Sequence, residues 1–243
     1  MPRYRLVIEY DGSDFHGWQV QPGARTVQGE IEKALATLLG APVRIAGAGR
    51  TDAGVHASGQ VIAFSAATEL EPEVLQRALN ALTGEDVAVR EVASVDEEFD
   101  PRRAARARRY VYRIWNRRQA SPFWRQYTWH IPAPLDTAAM AIAAMQLEGT
   151  QDFSSFRASG CDAAQPVRHV LCSRVVTDGV LVCYEIEATA FLRHMVRNIV
   201  GTLVEIGHRR RPTDLSALLL ARDRTQAGAT APACGLCLEA VRY

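Results

Sequence analysis

The sequence contains no run of eighteen or more apolar residues, so no segment reads as a membrane-crossing helix. Met1 to Arg5 passes directly into a strand-like segment without the apolar core of a signal peptide, and the expectation is a cytoplasmic protein. The five cysteines are odd in number and unevenly spaced, which excludes a secreted disulfide framework and fits a reducing compartment. Cys234 and Cys237 form one C-x-x-C, but neither a second such pair nor a His pair stands at zinc-finger spacing. No metal site is expected, and both cysteines read as small hydrophobes near a closing strand. Lysine is almost missing: apart from Lys33, all the basic residues are arginine, which suits phosphate and base contacts without by itself indicating them.

What is present is enough hydrophobic sequence, 48% of 243 residues, for one large domain or two small ones sharing a core. The net charge of +1 says nothing about a polyanionic partner, but its distribution does. Glu69 to Asp100 holds ten acidic residues against two arginines, whereas Pro101 to His130 holds nine arginines and no acid. The second stretch is where an anionic partner would bind.

Tyr4, Leu6 and Ile8 alternate with Arg5, Val7 and Glu9 in a strand that stops at Asp11-Gly12. Thr26 reads as the N-cap of a helix carrying Val27, Ile31, Leu35 and Leu38, with Gly40 at its stop. A strand near Val43 to Ala48 enters a glycine-rich turn from Gly47 to His56, and Gln60 to Ser65 leaves it as a strand; a helix over Pro72–Leu82 and a strand over Val87–Val95 follow. Further on, the pattern predicts a strand over Ala105–Trp115 and a helix over Leu135–Leu147. A hairpin then turns at Asp178-Gly179, followed by helices over Phe191–Ile206 and Pro212–Arg222 and a strand over Leu236–Val241. The class is α+β, with two similar mixed halves expected to share a largely antiparallel sheet around a central cleft. The expected division is 1–104 with the glycine-rich turn, 105–134 as an arginine and aromatic strand with its connection, and 135–243 with the arginine helix.

Within the turn, glycines at 47, 49 and 54 let the backbone approach a ligand while Asp52 projects from it. The Gly-Lys-Ser/Thr ending of a phosphate loop is missing, and a carboxylate would repel phosphate. An Asp between glycines also fits an Asx-turn or cap. Arg193 and Arg197, four apart, share the margin of an apolar helical stripe, a spacing common to solvated arginines. On the strand, Arg106, Arg108, Tyr110 and Tyr112 fall on one face, a mixture that suits RNA but also ordinary cross-strand packing.

The run Gly49-Arg50-Thr51-Asp52-Ala53-Gly54-Val55-His56-Ala57 resembles the catalytic signature of the tRNA pseudouridine synthases that modify positions 38, 39 and 40 of the anticodon stem-loop. The likeness extends through Tyr10-Asp11-Gly12-Ser13, Gly17-Trp18-Gln19, Arg109 to Tyr112, Asp152 to Phe156, Phe191 to Asn198 and Gly235-Leu236. Asp100-Pro101 stands where that family commonly has His-Ala, and Gln151 where it often has His.

The resemblance implies a pseudouridine synthase fold and an isomerase with Asp52 as catalytic nucleophile. It also implies Arg197 as its ion-pair partner, Arg50 in base extrusion, and Tyr110 and Leu236 against the target uracil. Arg102, Arg106, Arg108 and Arg193 are then candidate RNA contacts, tRNA the partner, and a homodimer the assembly. Isomerisation is internally balanced, so no cofactor is expected. Two other readings stand beside it: a non-catalytic tRNA-binding protein, and a nucleoside hydrolase, which usually needs a second carboxylate that the Asp52 motif does not supply.

Overall fold

The computed structural model describes residues 1–161 and 163–243. The chain divides into two compact units, Met1–Arg106 with Cys237–Tyr243, and Ala107–Leu236.

In the first unit, β1 (Arg3–Tyr10) buries Tyr4, Leu6, Ile8 and Tyr10 and leaves the alternate side chains half-exposed, as its period-two pattern predicts. α1 (Val27–Leu39) starts where the Thr26 hydroxyl accepts the Gly29 N–H at 3.3 Å, and it stops at Gly40, whose φ of 70° is left-handed. Its buried face carries Val27, Ile31 and Leu35. β2 (Ala46–Gly47) is all that remains of the strand expected from Val43. The Ile45 N–H is taken by the Glu32 carboxylate at 3.2 Å and does not serve a ladder. β3 (His56–Ser65) begins four residues earlier than the alternation suggested. α2 (Pro72–Leu82) places Pro in its first turn, and β4 (Val87–Val95) completes this part of the chain. β1 pairs antiparallel with both β3 and β4, and β2 pairs antiparallel with β3.

The second unit contains β5 (Ala107–Trp115), β6 (Trp129–His130), α3 (Thr137–Met145), β7 (Gly149–Asp152), β8 (Val167–Asp178), β9 (Leu181–Ala188), α4 (Met195–Gly207) and α5 (Ser216–Ala221). β5, β9, β8 and β7 pair in that order, antiparallel throughout, and β6 lies parallel to β5. The hairpin turns at Gly179 with φ 56°, as Asp178-Gly179 predicts. β7 is a polar edge strand that hydrophobic alternation could not reveal. α3 starts after Leu135 because the Asp136 carboxylate caps the Ala139 N–H at 3.0 Å. α5 is shorter than predicted because Asp214 takes the Ser216 N–H at 2.9 Å and forms a turn ahead of it.

The last strand, β10 (Leu236–Arg242), returns to the first unit, where Cys237 and Leu238 pair parallel with His56 and Ala57 of β3. The α+β class and the largely antiparallel pairing are thus those expected. Among the described residues no helix is long and apolar enough to cross a membrane.

Candidate active site

The turn between β2 and β3 is held by residues from three other segments. The Ala48 N–H donates to Val61 O at 2.8 Å, closing the base of the loop. Gln60, with no exposed surface, donates its side-chain N–H to Gly49 O at 2.8 Å and accepts the Val61 N–H at 3.2 Å. The Trp18 N–H donates to Thr51 O at 3.0 Å, and the buried Thr51 hydroxyl shares a 2.8 Å hydrogen bond with the Tyr10 hydroxyl. Beyond Asp52, the Val55 N–H returns to Asp52 O at 3.1 Å, and the Gly54 N–H reaches Phe15 O at 3.3 Å. The backbone on both sides of the aspartate is therefore fixed by neighbours, while its side chain is half-exposed and that of Arg50 is exposed.

Those neighbours approach closely because of the Tyr10-Asp11-Gly12-Ser13 and Gly17-Trp18 segments. A Cβ on Gly12 would lie 2.1 Å from Val55 O, and one on Gly17, whose φ is 90°, would lie 2.9 Å from Thr51 O. Buried His56 tightens the same junction: its Nδ1 accepts the Gly12 N–H at 3.1 Å and lies 3.1 Å from Asp11 Oδ1. Asp11 Oδ1 in turn receives the Ser13 N–H at 2.9 Å and the Ser13 hydroxyl at 2.6 Å.

In the second unit, Arg197 is half-buried in the first turn of α4, where its Nε donates to Ala231 O at 2.8 Å and its own O accepts the Ala231 N–H at 3.1 Å. The guanidinium charge is felt nearby. Burial raises the pKa of the Cys234 thiol and of the Tyr112 hydroxyl, and Arg197 partly offsets both shifts. The protonated Tyr112 hydroxyl donates to Pro232 O at 2.8 Å. One turn of chain is thus tied to Arg197 and to β5 together. Asn198, fully buried, continues the fastening: it donates to Phe156 O at 2.8 Å and accepts from Arg224 at 3.0 Å and from the Thr230 hydroxyl at 2.6 Å.

The helix predicted from Phe191 begins only at Met195, because His194 is left-handed with φ 59°. The freed residue Phe191 packs edge-on against Tyr110, with ring centroids 5.0 Å apart and 82° between planes. Tyr110 is 8% exposed, on a face of β5 where Arg108 and Tyr112 are also buried. Arg108 spends one guanidinium N–H on Thr189 O at 2.8 Å. The face on which the sequence put arginines and tyrosines together is consequently a packed one. Arg102 and Arg106, in the first unit, and Arg193, in the second, are exposed, and Leu236 is buried.

Thr51, Gln60 and Asn198 had no assigned part in the sequence reading. For Gln60 and Asn198 the signal was available, since each stands beside an apolar run and must find partners when buried, whereas Thr51 between Arg50 and Asp52 carried none. Among the described residues no group of three or more His, Cys, Asp or Glu could hold a metal ion.

The sequence model of the tRNA pseudouridine synthase family matches residues 6–102 and 143–243. The chain belongs to the tRNA pseudouridine synthase family. Relatives named tRNA pseudouridine synthase A are similar over its whole length. The protein from Myxococcus xanthus is 50% identical, covering 100% of this chain and 92% of the relative. That from Moorella thermoacetica is 47% identical with 100% of both covered, and that from Geotalea uraniireducens 43% identical with 100% of both covered. The first matched stretch of this synthase family includes the whole Asp52 turn and the second includes Arg197, while Tyr110 lies between them.

Proposed function

We propose that Asp52 is the carboxylate with which this chain isomerises uridine to pseudouridine in tRNA, at positions 38 to 40 of the anticodon arm, without metal, nucleotide or redox cofactor. The isomerisation itself goes with membership of the family. In that reaction the N1–C1′ bond breaks, the base turns, and a C5–C1′ bond forms; the C5 proton is lost and N1 gains one, so atoms and electrons balance internally. A carboxylate serves it as nucleophile toward C6 or C1′, or as base toward a sugar proton, and each route needs an ionised group held still. The observation that carries the assignment is the Asp52 turn, whose backbone is fixed on both sides while the carboxylate remains half-exposed.

Arg197 is the counter-charge that keeps the carboxylate ionised once water is excluded, and exposed Arg50 helps extrude the base from its stack, a step costing a few kcal/mol. Tyr110 and Leu236 contact the uracil, and Arg102, Arg106 and Arg193 contact phosphates. The active species is a homodimer, which light scattering of the purified protein tests, and it works in the cytoplasm, which cell fractionation tests.

Purified protein incubated with unmodified tRNA in the presence of a chelator should produce pseudouridine at positions 38 to 40, mapped by a chemical method. Free uracil as product would mean hydrolysis, and activity restored only by a divalent ion would mean a metal enzyme. Tyr110→Phe keeps the ring packed on Phe191. Tyr110→Ala removes both stacking surface and core volume, so its activity is read only at temperatures where unfolding measurements show it native.

A further inference from the structure

The acid-free stretch contains a second feature outside the Asp52 chemistry. Residues 122–127 form a compact turn whose flanks, Ser121 and Thr128, are buried. The Thr128 hydroxyl donates to Trp124 O at 2.7 Å and the Tyr127 N–H donates to the same carbonyl at 3.0 Å. Trp124 stacks on Trp115 of β5, with centroids 6.1 Å apart and planes 18° from parallel, and the Arg117 guanidinium lies over the Trp115 ring at 4.9 Å. Arg117 Nε also donates to Gln119 O at 3.0 Å. On this braced platform Phe123 is 86% exposed, beside Trp124 at 38% and Tyr127 at 39%.

A single exposed apolar residue needs no explanation. Here three aromatic rings are grouped with Arg117, Arg118 and Arg125, all exposed, on a turn whose backbone, Trp124 ring and Arg117 guanidinium are held by hydrogen bonds and ring contacts, so little backbone entropy remains to be lost on binding. The paired elements add half-buried Leu181 and Cys183 from β9 and half-buried Trp129 and His130 from β6; the adjoining hairpin contributes the acid Asp178. A second copy docked symmetrically on this surface would crowd the three arginines of each copy into one interface, with Asp178 as the acid among the residues named to offset them. A polyanion with exposed bases answers both charge and rings.

We propose that residues 117–127 form a second tRNA contact, separate from the reacting uridine, in which Phe123 packs on an accessible base and Arg117, Arg118 and Arg125 hold phosphates. Trp115 stands five residues beyond Tyr110 on β5, roughly 17 Å at the rise of an extended strand, and the odd step turns it to the opposite face, so the contact takes a part of the tRNA well away from a base held at Tyr110. The proposal rests on tRNA being the substrate.

The test replaces Phe123 with a photo-crosslinking benzophenone amino acid and irradiates the full chain with unmodified tRNA. The crosslink should map to nucleotides other than positions 38 to 40. In parallel, Phe123→Ala should raise KM for tRNA about tenfold, with the effect on KM and not on kcat. Arg118→Ala with Arg125→Ala should reduce the slope of log affinity against log salt by roughly 1.5 to 2. Crosslinks joining two protein chains, crosslinks confined to the target uridines, or an unchanged KM and salt slope would each overturn the proposal. Wild-type protein that binds tRNA through Phe123 yet makes no pseudouridine would sink the proposed function and leave this contact standing.

Discussion

The Asp52 turn and the Arg197 turn of α4 are fastened in different ways. Around Asp52, the partners are backbone groups of β3 and of the loop after β1, with the polar side chains of Gln60 on β3 and Tyr10 at the end of β1, and most of the residues that shape the bend lie in two short sequence runs. Around Arg197, the partners come from a separate loop, through Ala231, Arg224 and Thr230, and the start of the helix is set by the left-handed His194. A site built from local runs is legible as a motif. A site built from distant loops is legible only once folded.

The largest expected effect breaks the first region chemically and leaves its frame intact. Asp52→Asn keeps nearly the shape of the side chain and every backbone bond described for the turn, but it is a poor nucleophile and base. Single-turnover rate at saturating enzyme should fall about 10⁴-fold or more, with tRNA affinity and thermal midpoint close to wild type. Substantial turnover by this variant would sink the assignment of Asp52.

Next come substitutions that break each frame sterically. A Cβ on Gly201 would stand 1.7 Å from Ala229 O, and one on Gly12 2.1 Å from Val55 O, both backbone atoms that cannot rotate away. Gly201→Ala and Gly12→Ala should each destabilise by about 1–3 kcal/mol, read from urea unfolding. They should differ in activity while still folded: Gly12→Ala displaces Val55, whose N–H is bonded to Asp52 O, and should slow turnover the more. Equal turnover per folded molecule would remove the distinction between the two regions.

A gentler comparison removes one buried polar side chain from each frame. Gln60→Leu leaves Gly49 O without its side-chain donor, and Asn198→Leu leaves Phe156 O without its own, so each should cost about 1–3 kcal/mol. Melting temperatures unaffected by either change would show that other groups replace the lost donors.

The sequence disclosed the first region well because its constraints are short-range. Thr26, Gly40 and Asp178-Gly179 likewise act through bonds and dihedrals within a few residues, and the structure has them as read. What it concealed depends on partners far along the chain. Helical periodicity ran back to Phe191 because nothing local announces that His194 turns left-handed and frees Phe191 to pack on Tyr110. Alternation placed Arg108 on a face with Tyr110 and Tyr112, but only Thr189, Phe191 and Pro232, all far along the chain, decide that this face is covered. β7 lacked apolar alternation and stayed hidden for the same reason.

The smallest effect expected concerns Asp100, which stands in a departure from the family's pattern and shapes the approach to Arg102. Its Oδ1 accepts the N–H groups of Arg102 at 2.8 Å and Arg103 at 2.9 Å. Those bonds, the Arg103 one foremost, favour the ionised carboxylate and hold its pKa below the ordinary aspartate value despite opposing desolvation. A carboxylate depressed in the folded state binds its proton more readily when unfolded, so its contribution is fully present above the unfolded value of about 3.9 and is lost as pH falls through the lower folded value. Asp100→Asn retains an acceptor oxygen but does not titrate. The stability difference between wild type and Asp100→Asn should therefore be small and flat from neutral pH to about pH 5, then shrink as the medium becomes more acid. Urea unfolding across that range measures it, and a difference that grew on acidification would show that the bonds to Arg102 and Arg103 do not favour the charged form.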